Sequence, residues 1–218
     1  MNTPLKILKN CFLFTSITLL AGCAIVHQEE EVPLKSQQKY NPNFQVKLNQ
    51  YQQSNFKQVE ATFFTQQPKE LVFRVLSNIE QTSQWLQRLD SLEVLTVYNN
   101  HQYLLRTVIN SPWPFKNREL ITCVDTFFEE DNTTINIYSC SERVESDEVN
   151  LRLSQLESSW KITKISDSLV EVNYKAWLDP AGIVPAFIFN SELIDGTKAD
   201  FIKLQAIIND ASLDQYSY

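Results

Sequence analysis

Three glycines in 218 residues leave almost no material for loops that cradle phosphates, and no phosphate loop or Gly-x-Ser-x-Gly elbow is present. Histidine is scarcer still, with two residues. His27 falls in a polar stretch and His101 in a predicted hairpin turn, so neither is oriented by packing for a nucleophilic dyad or a histidine-bound zinc. No Cys-x-x-Cys occurs. The acids gather at predicted turns, in Glu129-Glu130-Asp131 and around Glu145, Asp147 and Glu148. Solvent keeps such carboxylates ordinary, whereas a catalytic pair needs burial to separate its pKa values. The formal net charge is −7, the wrong sign for a nucleic-acid binder. No internal repeat is visible. These absences name no catalytic residue, no metal ligand and no cofactor, and they point to binding.

The first residues read as an address. Lys6 and Lys9 precede the apolar run Cys11–Leu20, which leads into Leu20-Ala21-Gly22-Cys23. An apolar run of about ten residues is too short to span a bilayer and suits a signal peptide. Leu-Ala-Gly-Cys resembles the bacterial lipobox; the alternative is an ordinary signal peptide with a chance cysteine. The resemblance implies a lipoprotein signal peptide over 1–22, cleavage before Cys23, and acylation of that cysteine. Ala24 follows it, and the sorting rules of Gram-negative bacteria then imply the periplasmic face of the outer membrane. Removing Lys6 and Lys9 from 19 basic residues leaves 17 against 26 acidic ones, a net charge of −9. Such a chain does not adhere to anionic lipid by charge, so attachment rests on the acyl anchor. Residues 24–42 are polar and, behind Cys23, form a spacer that reaches about 25 Å as a coil and about 60 Å when stretched.

A folded domain is expected over residues 43–218. Phe44, Val46 and Leu48 alternate, as do Val59, Ala61 and Phe63, which predicts two strands. Pro68 opens a helix with Leu71, Val72, Val75, Leu76 and Ile79 on its apolar face, and a short helical turn follows around Trp85-Leu86-Leu89. Leu92–Tyr98 and Tyr103–Val108 flank a hairpin turn at Asn99-Asn100-His101. Residues 110–117 carry two prolines around Trp113 and form a loop. Glu119–Phe128 and Thr134–Cys140 make a second hairpin, and Ser141–Asn150 reads as a long connection. Two last strands begin at Trp160 and Val170, and Asp179-Pro180-Ala181-Gly182 breaks the chain. Beyond Pro185 the period changes. Phe187, Ile194, Phe201 and Ile208 recur every seven residues with Leu204 and Ala211, one stripe of a long helix that Gly196 weakens by about 1 kcal/mol. Two strands, helices, six strands and a helix make an α+β layout, a curved antiparallel sheet wrapped on the final helix.

Pro112-Trp113-Pro114-Phe115-Lys116-Asn117-Arg118-Glu119 resembles the Pro-Trp-Pro…Arg-Asp segment of START (StAR-related lipid-transfer) domains. Trp160-x-Ile…Val170-x-Val-x-Tyr174…Asp179-Pro-Ala-Gly-Ile-Val-Pro185…Asn190 resembles the ending of the same family. The resemblance covers residues 44–212 and implies a helix-grip fold with a lipid cavity. Trp113, Trp160, Tyr174, Trp177, Phe187, Ile188 and Phe189 are the large groups expected near one mouth, although any of them alone reads equally as core. Arg118 is the polar candidate, on one face with Leu120 and Val124; buried, it needs a partner, either a lipid headgroup or Glu119 and its neighbours. Val124 stands where many START domains carry a second basic residue, so a more purely apolar pocket is expected.

Cys11 leaves with the signal peptide and Cys23 is the anchor. A two-residue turn at Asp131-Asn132 sets Cys123 directly opposite Cys140 in a non-hydrogen-bonded pair, with Cα atoms about 4.5 Å apart. A disulfide is expected in an exported chain; two packed thiols are the alternative. The same register puts Leu120, Val124, Phe128, Ile135 and Ile137 on the apolar face, and both cysteines outside with Asp125, Asn136 and Tyr138. The expected function is binding or transfer of a lipid or other hydrophobic small molecule under the C-terminal helix. The alternatives are a polyketide cyclase-like enzyme on an apolar substrate, or a structural envelope lipoprotein with a filled core.

Overall fold

The computed structural model describes residues 44–146 and 148–216. The expected signal peptide, Cys23, His27 and the spacer lie outside them. The chain order is β1 (Phe44–Asn49), β2 (Gln58–Thr65), α1 (Lys69–Ser77), a 3₁₀ segment (Ile79–Gln84), β3 (Leu89–Asn99), β4 (Gln102–Ile109), β5 (Arg118–Phe128), β6 (Asn132–Ser139), β7 (Leu151–Leu153), β8 (Leu156–Ser166), β9 (Leu169–Leu178) and α2 (Ala186–Asp210). The sheet runs β1-β2-β9-β8-β6-β5-β4-β3. This is the helix-grip α+β layout, a long sheet closed on the last helix.

Local sequence explains the elements. Along β2, Val59, Ala61, Phe63 and Thr65 are buried and the residues between them are not, the period of a strand with one covered face. Pro68 sits just before α1 with φ −58°, a value proline holds in advance. Ala181 and Gly182 adopt φ of 52° and 69°, the left-handed region that turns the chain between β9 and α2 and suits a glycine. Pro185 precedes α2 with extended backbone.

Several expectations need correction. The 3₁₀ segment takes in Ile79 and stops at Gln84, so Trp85 follows it and Leu89 already belongs to β3. The long connection contains β7, which runs parallel to β5 over Arg118–Leu120, where β6 no longer reaches. The β5–β6 turn is centred on Glu130-Asp131, with the Glu129 amide donating to the Asn132 carbonyl at 2.8 Å. Cys123 therefore pairs with Tyr138, and Cys140 lies two residues on, where its amide donates to the Ile121 carbonyl at 2.8 Å. The disulfide forms along this diagonal, with Cα atoms 5.7 Å apart. A slip of two preserves the side-chain faces, so the bridge is still on the outer side, packed with Leu104 and Ile121.

The strands give the domain two ends. At one, the β1–β2 turn, the loop 110–117, the turn 179–185 and the start of α2 converge. Here the Asn190 side chain accepts from the Lys57 amide at 2.8 Å and donates to the Asn55 carbonyl at 3.1 Å, and Phe189 meets Phe56 edge to face. At the far end lie the hairpin tips, α1 and the end of α2, where Thr65 donates to the Asn209 side chain at 2.8 Å. The C-terminal half of α2 buries Phe201, Leu204 and Ile208 against Phe63, Val72, Trp160 and Ile162. Burying each such side chain contributes roughly 1.5–3 kcal/mol.

Candidate functional site

The N-terminal half of α2 does not plug the sheet. It roofs a partly enclosed, mostly apolar cavity of about 1400 Å³ between itself, the segment 76–88 and the concave faces of β3 to β6, with β8 and β9 behind. Phe189, Leu193, Gly196 and Asp200 form the roof, at helical spacings of four, three and four. The stripe Phe187-Ile194-Phe201-Ile208 serves a different purpose. Only its second half is buried, and Phe187 at the free end is 76 % exposed. Gly196 does not interrupt α2, which is continuous. Apart from its chain neighbours and the backbone of α2 itself, no heavy atom of the described residues lies within 4 Å of the position a Cβ would take there.

The wall opposite α2 comes from strand alternation. Leu120, Thr122, Val124 and Thr126 of β5 and Ile135 and Ile137 of β6 face the cavity, while Cys123, Asp125 and Tyr138 face outward, where the Tyr138 hydroxyl donates to Asp125 at 2.9 Å. The back is aromatic: Trp160 stacks on Phe201 with ring centroids 5.2 Å apart, and Tyr174 lies 4.4 Å from Trp160.

Of the residues singled out in the sequence, Arg118, Leu120, Val124, Trp160, Tyr174, Ile188 and Phe189 line this cavity. Three do not. Trp177 is an odd-numbered neighbour of Val170, Val172 and Tyr174, so alternation turns it to the opposite face. It stacks on Tyr51 at 4.2 Å and donates to the Phe56 carbonyl at 3.1 Å. Trp113 is 92 % exposed at the tip of its loop, and Phe187 projects from the first turn of α2, beyond the sheet. Phe187, Phe189 and Trp177 do not meet across the interior.

Arg118 sits at the mouth. Its guanidinium donates to the Ser111 hydroxyl at 3.0 Å and to the carbonyls of Lys116 at 2.6 Å and Pro180 at 3.3 Å, and it lies 5.6 Å from the Phe115 ring centroid. Every one of these partners is neutral, and burial lowers its pKa. The expected partner Glu119 points the other way, as its odd position requires. It is 1 % exposed on the outer face, held by Arg106 at 2.6 Å and Arg152 at 2.7 Å. Arg152 also donates to the carbonyls of Ser141, Val144 and Glu145, so this triad fastens the segment after β6 over the disulfide. The Arg-Glu dipeptide thus serves two faces of the sheet.

Two polar groups inside were not foreseen as a pair. Burial, against a hydrogen bond to Ser158, pushes the Tyr174 phenol up to about 12, with the Asp200 charge adding to the shift. Tyr174 keeps some accessible surface although protein surrounds it, because that surface opens into the cavity. Burial also raises Asp200, which accepts from the Gln87 amide at 3.1 Å. With the Arg88–Glu192 ion pair, this bond ties α2 to the chain before β3. The signal for Asp200 was its place in the Phe189-Leu193-Gly196 flank. Among the described residues, no group of three or more His, Cys, Asp or Glu is placed to hold a metal ion.

No family model matches the chain. An uncharacterized protein of Pseudomonas aeruginosa is 26 % identical over 88 residues, 40 % of this chain and 44 % of that protein; the match spans less than half of the relative. Solved structures align more fully. A STAR-related lipid transfer protein from Xanthomonas axonopodis superposes with a TM-score of 0.69 at 15 % identity, covering 77 % of this chain and 94 % of that one. Human StAR-related lipid transfer protein 5 gives 0.65 at 10 % identity, covering 76 % and 86 %. Identities this low speak to the fold, which is that of START domains.

Proposed function

From a START-like fold that is hollow under its last helix, we propose that this chain binds a large hydrophobic molecule, a lipid with more than one hydrocarbon chain, and carries it within the cell envelope. The observation that carries this reading is the cavity. Its volume of about 1400 Å³ exceeds the ~300–1000 Å³ of ordinary small-molecule pockets. It runs the length of β4, eight residues, or about 24 Å at ~3.4 Å per residue. Volume over length gives a mean cross-section of about 60 Å². Hydrocarbon chains at a contact distance of ~4.5 Å take about 20 Å² each, so the cross-section has room for about three and holds the two chains of a lipid side by side. Removing a chain of about sixteen carbons from water stabilises the complex by about 13 kcal/mol before binding costs. Arg118, whose hydrogen-bond partners among the described residues are neutral, offers its charge to an anionic headgroup at the mouth.

The exposed apolar side chains belong to the same reading. Trp113, Ile183 and Phe187, with Phe115 and Ile188 beside them, surround the mouth, and Ile183 is 95 % exposed. Large exposed apolar patches mark interaction surfaces, and the matching surface here is a membrane that supplies or receives the ligand. Tethering through acylated Cys23, with export to the periplasmic face of the outer membrane, completes the proposal on the strength of the lipobox resemblance. Organic extraction of the purified protein followed by mass spectrometry tests it. One two-chain lipid per protein is expected; a protein recovered empty that also takes up no fluorescent lipid contradicts it.

A cyclase-like enzyme would depend on ionisable groups inside, such as Tyr174 and Asp200. A phenol held near 12 keeps its proton at neutral pH, so Tyr174 is a hydrogen-bond donor and a poor base. Binding without turnover is therefore the preferred reading. Asp200→Asn that abolishes conversion of an apolar substrate without weakening its binding would reverse that preference.

A further inference from the structure

The far end of the cavity is built differently from the mouth. β3 is an edge strand of the sheet, and its pairing with β4 skips a residue at three places, Asp90, Leu95 and Tyr98, of which the middle one matters here. Val94 pairs with Leu105, Thr96 with Leu104 and Val97 with Tyr103, leaving Leu95 over. One extra residue reverses the alternation. Cavity-facing side chains on β3 therefore run Leu92, Val94 and then Val97, while Leu95 packs outside against the disulfide cluster. Without the bulge, Val97 would point away from the hollow.

Val97 lines the cavity and is also 65 % exposed. The hairpin residues Asn99 and Asn100 line it as well, and both are exposed. Phe73 and Leu76 of α1 form the opposite side. A cavity wall made of solvent-exposed residues is an opening. At the mouth, about 24 Å away along β4, Phe115 and Ile188 line the same cavity and are exposed in the same way.

We infer that the cavity is a channel with a second portal, between the far half of β3 and α1, through which the end of a long hydrocarbon chain leaves the protein. This rests on the proposal that the cavity holds hydrocarbon chains. An extended chain advances ~1.3 Å per methylene for C–C bonds of ~1.5 Å, so about 19 methylenes fill the channel. A blind pocket rejects longer chains; a channel with a portal accepts them and lets the surplus emerge. The ligand class is accordingly a lipid whose chain length is not capped by the protein.

The test is displacement of a fluorescent fatty acid from the full-length protein by saturated fatty acids of about 12 to 26 carbons. Each methylene tightens binding about fourfold while the channel fills. Beyond about 19 carbons the affinity stays constant. Val97→Trp, at an exposed position that tolerates substitution, narrows the portal. It weakens the longest acids more than tenfold relative to the shorter ones, with Val97→Phe as a milder second variant. A fall in wild-type affinity beyond about 19 carbons means a blind end and overturns the portal. A Val97→Trp profile identical to the wild type overturns its placement. Failure of every chain length to displace the probe strikes the cavity proposal itself, a separate outcome.

Discussion

Gly196 separates a roofed hollow from a filled core. It lies in the middle of α2, the segment Ala186–Asp210, where glycine is destabilising by roughly 0.5–1 kcal/mol relative to alanine. Beyond α2's own backbone and the adjoining residues, no described atom stands within 4 Å of the Cβ that alanine would add, so Gly196→Ala meets no steric cost from the rest of the domain. It is expected to stabilise the domain by the full propensity difference, which raises Tm by about 1–4 °C for a domain of this size. Gly196→Leu extends the argument. Its side chain enters the cavity without displacing protein, so ligand-free stability stays within about 1 kcal/mol of the wild type, while affinity for a fluorescent lipid falls because the guest loses volume. In a packed interior the same leucine costs about 1–3 kcal/mol through overpacking. Thermal melts of delipidated protein, read with lipid titrations, separate the two cases. Destabilisation by Gly196→Ala, or by more than 1 kcal/mol in Gly196→Leu, would refute the hollow.

Other expectations follow from the outer face and from α2. Glu119→Gln leaves Arg106 and Arg152 half-buried without their carboxylate and is expected to destabilise by about 3–5 kcal/mol, measured by chemical denaturation, while a loss below 1 kcal/mol would mean that solvent already screens the triad. Replacing Cys123 and Cys140 together by alanine opens a loop of sequence separation 17 and costs about 3 kcal/mol on the chain-entropy account. Lipid affinity stays unchanged, because the bridge lies outside the cavity. Asp200 has a raised pKa in the folded state through burial, so the fold holds its proton more tightly than the unfolded chain does. Its contribution to stability is therefore fully present below about pH 4 and is lost as pH rises through the folded value. Asp200→Asn keeps an acceptor for the Gln87 amide, gains on the wild type toward neutral pH, and loses that advantage in acid. A pH-independent difference would argue against a buried carboxylate.

The elements legible in the sequence were those whose period survives intact. Val59, Ala61 and Phe63, or Leu71, Val72 and Val75, read correctly because one face of each element is buried and nothing interrupts it. The bulge at Leu95 was invisible, since it is a choice of pairing between strands and leaves no mark in either strand alone. β7 was missed for a related reason: three residues in acidic surroundings become a strand only because β6 ends early and leaves β5 open. The cysteine pairing was found through a turn placed one residue late, and only an even slip kept the faces right. Trp177 could have been assigned to the outer face by continuing the alternation of Val170, Val172 and Tyr174. Trp113 and Phe187 are apolar and yet exposed, and a hydrophobic pattern does not distinguish that from a core. Nor does it distinguish the roof of a cavity from a plug. The stripe through Phe201 and Ile208 packs the core, and the flank through Phe189 and Asp200, on the same helix, faces the hollow.

The central claim is that α2 spans an occupied hollow. A crystal structure of the protein as purified tests it most directly. Continuous density, elongated along β4 and lying between Gly196 and Val124, is the predicted result. An interior in which Phe189 and Leu193 close onto Val124 and Ile137, leaving room for scattered water only, would contradict it.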